Sequence, residues 1–427
     1  MRRDVRMLHE PMRAHVRSLL VGCALAVLTI AGCAVVAYVR PQGALGDAPL
    51  VMIKESGALY VRFGDTLHPV LNLASARLIA GGDAKLDVVR ESELRKAKRG
   101  APLGIPGAPA DLPEPLPADE SRWAVCDDAN GTTVIAGPTA FDARVPPLQG
   151  RRTVLARSRS DSSSYLLYDG RRARVSTADL AVMKALRLDG VDATNVSSAV
   201  LNAIPEAPPI ERPVIPDAGG PSPLDRIPVG SVVRVGRSDI DELYVVLNNG
   251  VQRVGRVAAD ILRFGDSQGA TTIVTVAADA INIARVVESL PVATFPDAVD
   301  APVQEPVVCA QWLPPTGDQT DAHTAVFAGS VVPLSAGQAA VTLAQADGFG
   351  PNVDAAFVPP GRCLYVQSVH AYLVADTGVR FAVQDAESAA ALGFPPEGFA
   401  APWSILGLLV EGPELGKTAA LVAAAPR

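Results

Sequence analysis

The chain has few of the residues on which catalysis and metal binding usually depend. Its 427 residues include five cysteines and five histidines, and aromatic residues make up only 5%. The motifs H-E-x-x-H, S-x-x-K and G-x-G-x-x-G do not occur, which excludes the zinc-protease, serine–lysine and dinucleotide-binding patterns. His68, His323 and His370 stand far apart, in no metal-ligand spacing. We therefore predict no catalytic residue, no metal site and no cofactor.

Charge is absent from one long stretch near the N-terminus, Ser18 to Val39, which reads SLLVGCALAVLTIAGCAVVAYV. As a helix, these residues reach roughly 33 Å, enough to cross a hydrocarbon core of about 30 Å. Six arginines against two acids give residues 1–40 a charge of +4, so residues 41–427 carry −11. The positive-inside bias places residues 1–17 in the cytoplasm and the bulk of the chain outside. The acidic remainder argues against nucleic-acid binding.

Two other interpretations of the apolar run are a lipoprotein signal and a cleaved signal peptide. Ile30–Cys33 resembles a lipobox, but apolar residues follow Cys33 where a lipoprotein would have a polar tether. The run is also longer than the apolar core of a signal peptide, which spans about 7–15 residues. A retained transmembrane anchor is therefore favoured.

The ectodomain contains four segments with one pattern: an aromatic-led strand, a turn with glycine, a second strand and an Ala/Leu-rich helical stretch. They are LYVRFGDTLHPVLNLASARLI (59–79), YLLYDGRRARVSTADLAVMKAL (165–186), LYVVLNNGVQRVGRVAADILRF (243–264) and AYLVADTGVRFAVQDAESAAAL (371–392). The turn at Asp169-Gly170 is typical of a tight hairpin, and Ser176 or Thr177 can cap the helix of the second copy. Each copy therefore predicts a small β-β-α unit.

The spacing of the copies indicates a higher-order duplication. Tyr60 and Tyr244 are 184 residues apart, and Cys126 and Cys309 are 183 apart. A Pro-rich stretch, PEAPPIERPVIPDAGGPSP, joins the two halves. The order is repeat, central piece, repeat, in each half. The predicted domains are a cytosolic N-terminus (1–17), a transmembrane helix (18–39), repeat domain 1 (50–100), the first central piece (120–160), repeat domain 2 (161–204), the connector (205–223), repeat domain 3 (225–290), the second central piece (305–360), repeat domain 4 (364–400) and a C-terminal tail (401–427).

Three cysteines lie outside the predicted membrane span: Cys126, Cys309 and Cys363. They allow three different single disulfides. Equivalent positions in two duplicated halves meet across a pseudo-twofold axis, which favours Cys126–Cys309. Trp123 and Trp312 each stand three residues from one of these cysteines and support a single buried centre. The neighbouring pair Asp127-Asp128 is interpreted as a solvated turn rather than as a metal or acid–base site.

One motif near the C-terminus, GPELGKT (412–418), resembles a phosphate-binding loop. A P-loop needs four residues between its glycines and a following Lys-Ser/Thr, whereas only three separate Gly412 from Gly416. Lys417 and Thr418 would be the remaining nucleotide-binding residues, and ATP the cofactor. The favoured interpretation is a loop that opens the terminal Ala/Leu helix.

The chain resembles the EccB family, the single-span membrane component of mycobacterial type VII (ESX) secretion systems. The resemblance covers nearly the whole chain and rests on RRDVRMLHEPMR (2–13), YVRPQG (38–43), WAVCDD (123–128), VVCAQW (307–312) and LLVEGPELGKTAALVA (408–423). It implies an α+β protein of the inner membrane, with an elongated periplasmic region of four repeat domains around a central β-rich domain. It also implies a disulfide that matches Cys126–Cys309. Family members usually have a longer segment before RRDVRMLH, so either the start lies upstream of Met1 or this member is shortened.

The resemblance further implies partners and a function. EccB-like proteins assemble with an FtsK-like motor ATPase, a multi-span channel-like subunit, another membrane subunit and a mycosin protease, and a homodimer or higher oligomer is expected. The leading hypothesis is a structural and assembly subunit for protein export. One alternative is an ATPase, as the family has been labelled. Another is a peptidoglycan-binding module, because the repeats resemble cell-wall-binding modules of phage lysins.

Overall fold

The computed structural model describes residues 11–39, 45–82, 84–236, 241–315 and 321–423. The N-terminal segment 1–10 and the residues Arg40 and Pro41, on which some of the topology prediction rests, lie outside the described residues. The chain forms two compact units. The first unit comprises Met1–Leu112, Asp385–Gly393 and Leu415–Arg427, and the second comprises Pro113–Gln384 and Phe394–Glu414.

The apolar run forms one continuous helix, α1 (Pro11–Val39). The stretch Ser18–Val35 has a mean hydropathy of 2.3, and none of it is buried against the protein. The hydroxyl of Thr29 donates to the carbonyl oxygens of Leu25 and Ala26 at 3.0 and 2.8 Å, so this polar group is satisfied within the helix. Within the described residues, α1 is the one helix long and apolar enough to span a membrane.

The first sheet follows α1 and lies in the first unit. Its elements are β1 (Leu50–Ile53), β2 (Leu59–Phe63), β3 (Thr66–Val70), α2 (Leu73–Ala80), β4 (Leu86–Val89), α3 (Glu91–Leu94) and β5 (Lys98–Arg99). The side chain of Asn72 caps α2 by accepting from the Ser75 amide at 2.9 Å.

Two strands that later join the central sheet come next: β6 (Trp123–Asp128) and β7 (Gly131–Ala136). The second sheet follows, with β8 (Val154–Ser158), β9 (Ser164–Tyr168), β10 (Arg171–Val175), α4 (Leu180–Ala185), β11 (Thr194–Val196), α5 (Ser198–Ala203) and β12 (Glu206–Ile210). The prediction that Ser176 or Thr177 caps α4 is wrong. Asp179 is the cap, because its carboxylate accepts from the amides of Ala181 and Val182.

The third sheet is built from β13 (Val232–Gly236), β14 (Asp241–Leu247), β15 (Gly250–Val254), α6 (Arg256–Gly265), β16 (Val274–Val276) and α7 (Ala278–Ile283). The rest of the central sheet follows as β17 (Val307–Leu313), β18 (His323–Gly329), β19 (Val341–Thr342) and β20 (Ala355–Phe357). The last elements are β21 (Cys363–Gln367), β22 (Ala371–Ala375), β23 (Val379–Val383), α8 (Ala386–Leu392), β24 (Phe399–Ala400), α9 (Trp403–Leu406), β25 (Val410–Glu411) and α10 (Lys417–Ala420). The five strands β21–β25 form the fourth sheet.

The first, second and fourth sheets have one strand plan. Three antiparallel strands form the centre, and a parallel strand pairs on each side. The orders are β4-β1-β2-β3-β5, β11-β8-β9-β10-β12 and β24-β21-β22-β23-β25. The third sheet, β15-β14-β13-β16, has an isolated parallel bridge between Val251 and Val286 where the fifth strand pairs in the others. Each segment predicted as β-β-α folds as strand, strand and helix, within a larger sheet.

Two of the helix pairs that pack together join helices of different predicted repeats. Helix α2 packs on α8 inside the first unit, and α4 packs on α6 inside the second unit. The close approach of the first pair depends on Gly82, since a Cβ at this position would collide with the backbone carbonyl of Ala390. The helices of the first and fourth predicted repeats are therefore neighbours, as are those of the second and third.

The central sheet has the order β18-β17-β6-β7-β20-β19. Its second and third strands are β17 from the second half of the chain and β6 from the first half, and they pair in antiparallel register. Both faces of this pair are buried, with Trp123, Val125 and Val308 in one apolar cluster and Ala124 and Val307 in another. Two segments remote in sequence therefore share the core of the second unit.

Candidate functional site

The disulfide Cys126–Cys309 lies inside the central sheet and joins its second and third strands. The two sulfur atoms are bonded at 2.07 Å, and the two residues are direct cross-strand partners on β6 and β17. Both cysteines are fully buried. Of the three pairings that the cysteine count allowed, the structure therefore contains the one favoured by the duplication. Cys363 is also buried, and its thiol donates to the carbonyl oxygen of Pro113 at 3.1 Å.

The two tryptophans beside these cysteines oppose each other across the same strand pair. Trp123 is the register partner of Trp312, three residues along from the disulfide. Trp123 is fully buried, and Trp312 packs partly buried against the same cluster. Both cysteines lie in one buried cluster, as predicted, but the two tryptophans belong to the cluster on the other face of the sheet.

The interpretation of Asp127 as a residue of a solvated turn is wrong, because this residue is only 3% exposed. Its carboxylate accepts from the Thr132 hydroxyl at 2.7 Å and from the Ser197 amide at 2.5 Å. Burial raises the pKa of the Asp127 carboxyl, while these hydrogen bonds and the positive charge of Arg159 act in the opposite direction. Asp127 thus ties the central sheet to the start of α5, whose cap is Ser197. Asp128 is half-buried at the end of β6, and its carboxylate accepts from the Asn130 amide in the following turn.

A second buried carboxylate, Asp354, organises the loop before β20. Its two oxygens accept from the backbone amides of Asp347, Gly348 and Thr132 at 2.6 to 2.8 Å. Gly131 is needed beside it, since a Cβ there would collide with the Asp354 carboxylate. This carboxylate therefore fixes the loop 347–354 to the central sheet through backbone amides alone.

The four candidate nucleotide-binding residues of the P-loop-like motif are divided between the two units. Gly412 belongs to the second unit, where its amide donates to the carbonyl oxygen of Arg380 and a Cβ would collide with the ring of Phe381. Gly416, Lys417 and Thr418 belong to the first unit. Gly416 precedes α10, a helix of only four residues, and the Lys417 ammonium pairs with Glu387 at 3.1 Å. A P-loop instead wraps consecutive backbone amides around one phosphate group.

The chain also contains a G-x-S-x-G spacing at Gly265–Gly269, with Ser267 in the nucleophile position. A nucleophile elbow joins a strand to a helix, whereas this segment follows helix α6. In an elbow, the amide after the serine helps to form the oxyanion hole. Here that amide belongs to Gln268 and donates to the Asp266 carboxylate at 2.9 Å. The segment is therefore a helix-terminating turn rather than a catalytic site.

No group of three or more His, Cys, Asp or Glu residues that could hold a metal ion occurs within the described ranges. The ring nitrogen Nδ1 of His68 lies 2.9 Å from the carbonyl oxygen of Ala101, which is a local structural contact. The main features of the second unit are therefore structural: the buried disulfide Cys126–Cys309 and two buried carboxylates, Asp127 and Asp354, which we call the polar anchors.

Comparison with known proteins identifies relatives of this architecture. The family model described as type VII secretion system ESX-1, transport TM domain B, matches residues 1–426. The ESX-3 secretion system ATPase EccB3 of Mycolicibacterium smegmatis is 36% identical, over 98% of this chain and 86% of that protein. The ESX-1 secretion system ATPase EccB1 of Mycobacterium tuberculosis is 34% identical, over 99% of this chain and 90% of that protein.

Two solved structures are similar over most of the chain. One is a chain of an intact ESX-5 inner membrane complex, with a TM-score of 0.80 at 32% identity, covering 99% of this chain and 91% of that one. The other belongs to an EccB3 dimer from the ESX-3 core complex, with a TM-score of 0.77 at 33% identity, covering 88% of this chain and 100% of that one. The chain belongs to the EccB family of type VII secretion systems.

Proposed function

We propose that this chain is a structural subunit that assembles the periplasmic side of a type VII secretion inner-membrane complex and so supports protein export. The observation that carries the proposal is similarity over 99% of the chain to a component of an ESX-5 inner membrane complex. The central sheet is held by a disulfide, and the helix α1 is long and apolar enough to anchor the chain in a membrane. Both features suit a structural subunit with a single membrane anchor.

The proposed topology is a single pass through the inner membrane, with residues 1–17 in the cytoplasm and the bulk of the chain in the periplasm. The support is the arginine excess before Ser18 and the disulfide, because disulfides persist outside the cytoplasm. A cysteine-labelling experiment tests it. A membrane-impermeant maleimide should label a cysteine introduced at exposed Leu180 in intact cells, whereas one introduced at Arg2 should react only after lysis.

The periplasmic region is proposed to be a pseudo-twofold duplicated array of four repeat domains around a central domain. The shared strand plan of three sheets, the pairing of α2 with α8 and of α4 with α6, and the meeting of β6 with β17 support this. In this arrangement repeat domain 2 begins at β8, since β8 pairs with β9.

The proposed partners are an FtsK-like motor ATPase, a multi-span channel-like subunit and a mycosin protease, together with a second copy of this chain. A related chain is known as an EccB3 dimer, which supports the homodimer. Peptidoglycan is a further proposed contact of the repeat domains. Co-sedimentation of the full chain in detergent with purified peptidoglycan tests it, and failure to pellet above an albumin control would reject it.

Native purification through a C-terminal tag, followed by mass spectrometry and electron microscopy, tests the assembly role. We expect one large particle that contains a motor ATPase and multi-span subunits. Recovery of this chain alone, from membranes in which the other subunits are detected, would refute the proposal.

The curated relatives carry the word ATPase in their names, which makes nucleotide hydrolysis a second candidate. The three-residue spacing between Gly412 and Gly416, and the ion pair of Lys417 with Glu387, support instead a subunit that works without ATP or another cofactor. Any hydrolysis in the complex is then assigned to the motor subunit.

A further inference from the structure

The chain reaches the first sheet from the apolar helix α1 at a fixed place. The guanidinium of Arg62 on β2 donates to the carbonyl oxygens of Gly46 and Ala48 at 2.6 and 3.3 Å, which holds the segment before β1 on the sheet. Gly46 also lies close to β4, since a Cβ there would collide with the Asp87 carboxylate. Helix α1 ends at Val39, seven residues before Gly46. The fixed segment therefore lies within about 25 Å of the end of α1.

We call the end of the first sheet at which this segment arrives the proximal end. Leu50 at the start of β1 pairs with Leu86 at the start of β4. Phe63 at the end of β2 pairs with Thr66 at the start of β3, and Thr66 pairs in turn with Lys98, the first residue of β5. The proximal end therefore consists of the starts of β1, β3, β4 and β5 and of the turn between β2 and β3.

Two apolar side chains are exposed at the proximal end. Phe63 is 45% exposed and Leu86 is 41% exposed. They lie on one face of the sheet, because Leu86 pairs through Leu50 with Val61, which is two residues from Phe63. The Phe63 ring stands edge-on to the His68 ring, with 5.8 Å between their centres. An exposed aromatic ring beside an aliphatic side chain is typical of a surface that contacts the interface of a bilayer.

The charge of the first sheet differs from that of the rest of the ectodomain. Residues 41–112 contain nine basic and eight acidic side chains, a net charge of +1, so residues 113–427 carry −12. The positive excess lies in residues 85–99, which contain six basic side chains against three acidic. Asp65 in the β2–β3 turn pairs with Lys98, and counting Asp65 leaves an excess of two positive charges. The sheet that follows the membrane helix is therefore the part of the ectodomain best suited to an anionic surface.

We propose that the proximal end of the first sheet docks on the outer surface of the inner membrane. Phe63 lies in the headgroup layer, and basic side chains such as Lys98 contact the phosphates of anionic phospholipids. The proposal rests on the proposed single-pass topology, in which α1 crosses the bilayer. A membrane is the assigned occupant because a tether of at most about 25 Å keeps the proximal end over the bilayer surface, and because the local charge is complementary to anionic lipid.

Photo-crosslinking to lipid tests the proposal. The photoreactive residue p-benzoylphenylalanine replaces Phe63 in the full chain, which is reconstituted into vesicles of phosphatidylcholine, alone or mixed with the anionic lipid phosphatidylglycerol. We expect a phospholipid adduct on the peptide that contains residue 63, with a yield about fivefold higher in the mixed vesicles. Lys98→Gln should lower the yield in the mixed vesicles about fivefold, because it removes one positive charge at an exposed position, and should leave the yield in phosphatidylcholine unchanged.

The same sheet offers a matched control position at its other end. Leu71 follows β3 and is 49% exposed, close to the value for Phe63. The photoreactive residue at Leu71 should give about tenfold less lipid adduct, because this position lies about 17 Å along the strand from the proximal end. Arg90→Gln removes an exposed positive charge beyond the other end of β4 and should leave the yield at residue 63 unchanged.

Three results would overturn the proposal: no lipid adduct at Phe63, equal yields at Phe63 and Leu71, or equal yields in the two kinds of vesicle. Flotation of the chain with the vesicles checks that α1 is inserted. Loss of flotation would reject the membrane anchor, and the docking proposal with it. Because the vesicles contain this chain alone, a failure of docking in floated vesicles leaves the proposed assembly function and topology standing.

Discussion

Removal of the Cys126–Cys309 disulfide is expected to destabilise the central sheet strongly. The two cysteines are 183 residues apart, so the bond closes a long loop in the unfolded chain. In the chain-entropy treatment, a loop of this length contributes about 5 kcal/mol to the free energy of unfolding. The cysteines are direct partners on the strand pair β6–β17, which is the junction between the two halves of the chain.

The assay is urea unfolding of the full chain in detergent, followed by tryptophan fluorescence. Trp403→Phe is used as the background, because Trp403 is 45% exposed and lies outside the strand pair β6–β17. The remaining tryptophans, Trp123 and Trp312, pair across β6 and β17 and report on the junction itself. With a slope of about 3 kcal/mol per M, the loss of about 5 kcal/mol corresponds to a midpoint shift of roughly 1.7 M urea.

Two comparisons separate the stability lost with the disulfide bond from the stability lost by removing buried sulfur atoms. A reductant should lower the midpoint of the parent chain and leave that of the Cys126→Ala, Cys309→Ala variant unchanged. Cys363→Ala removes another buried thiol without touching the disulfide and should cost about 1 kcal/mol. If the double variant unfolds no earlier than Cys363→Ala, the junction does not depend on the disulfide and the reasoning is refuted.

Three further predictions concern the second unit and the C-terminal motif. Gly170→Ala should lower the free energy of unfolding by about 2 kcal/mol more than Gly190→Ala in the same urea assay. Both glycines have positive φ, but only at Gly170 would a Cβ collide with the carbonyl oxygen of Thr324. Equal losses in the two variants would contradict this packing. The raised pKa of Asp127 means that its contribution to stability is full below the ordinary aspartate pKa of about 3.9 and is lost as pH rises through the folded-state pKa. The difference in unfolding free energy, parent minus Asp127→Asn, should therefore fall as pH rises from about 4, and a rising difference would show the opposite shift. Lys417→Ala should leave nucleotide hydrolysis by the purified complex unchanged, since Lys417 pairs with Glu387 on the surface; a large loss measured by phosphate release would restore the ATPase hypothesis.

The strongest sequence patterns predicted the elements of the fold that depend on local interactions. The four aromatic-led segments each contain two strands and a helix whose order is visible in a short window, and all four fold in that order. The first strand of each antiparallel centre and the outer parallel strands were not predicted. Several of these are only two to four residues long, such as β24 and β25, and are defined by pairing with strands remote in sequence.

The polar anchors were not predictable for a related reason. In the sequence, Asp127 stands beside a second acid and a turn, which is the pattern of a solvated pair. Its burial depends on Ser197, which is 70 residues away and supplies a backbone amide at 2.5 Å. Asp354 likewise binds the Thr132 amide across 222 residues.

The order in which the elements pair shows that the two halves of the chain depend on each other for folding. The helix of the first predicted repeat packs on that of the fourth, the helix of the second packs on that of the third, and the central strand of one half pairs with that of the other. Each of these contacts joins a segment of the first half to one of the second. Neither half can therefore bury its own apolar helix faces and strand edges alone. The disulfide between β6 and β17 joins the two halves covalently across 183 residues. Because closing a long loop costs more conformational entropy than closing a short one, a covalent bond at this position stabilises the folded chain strongly.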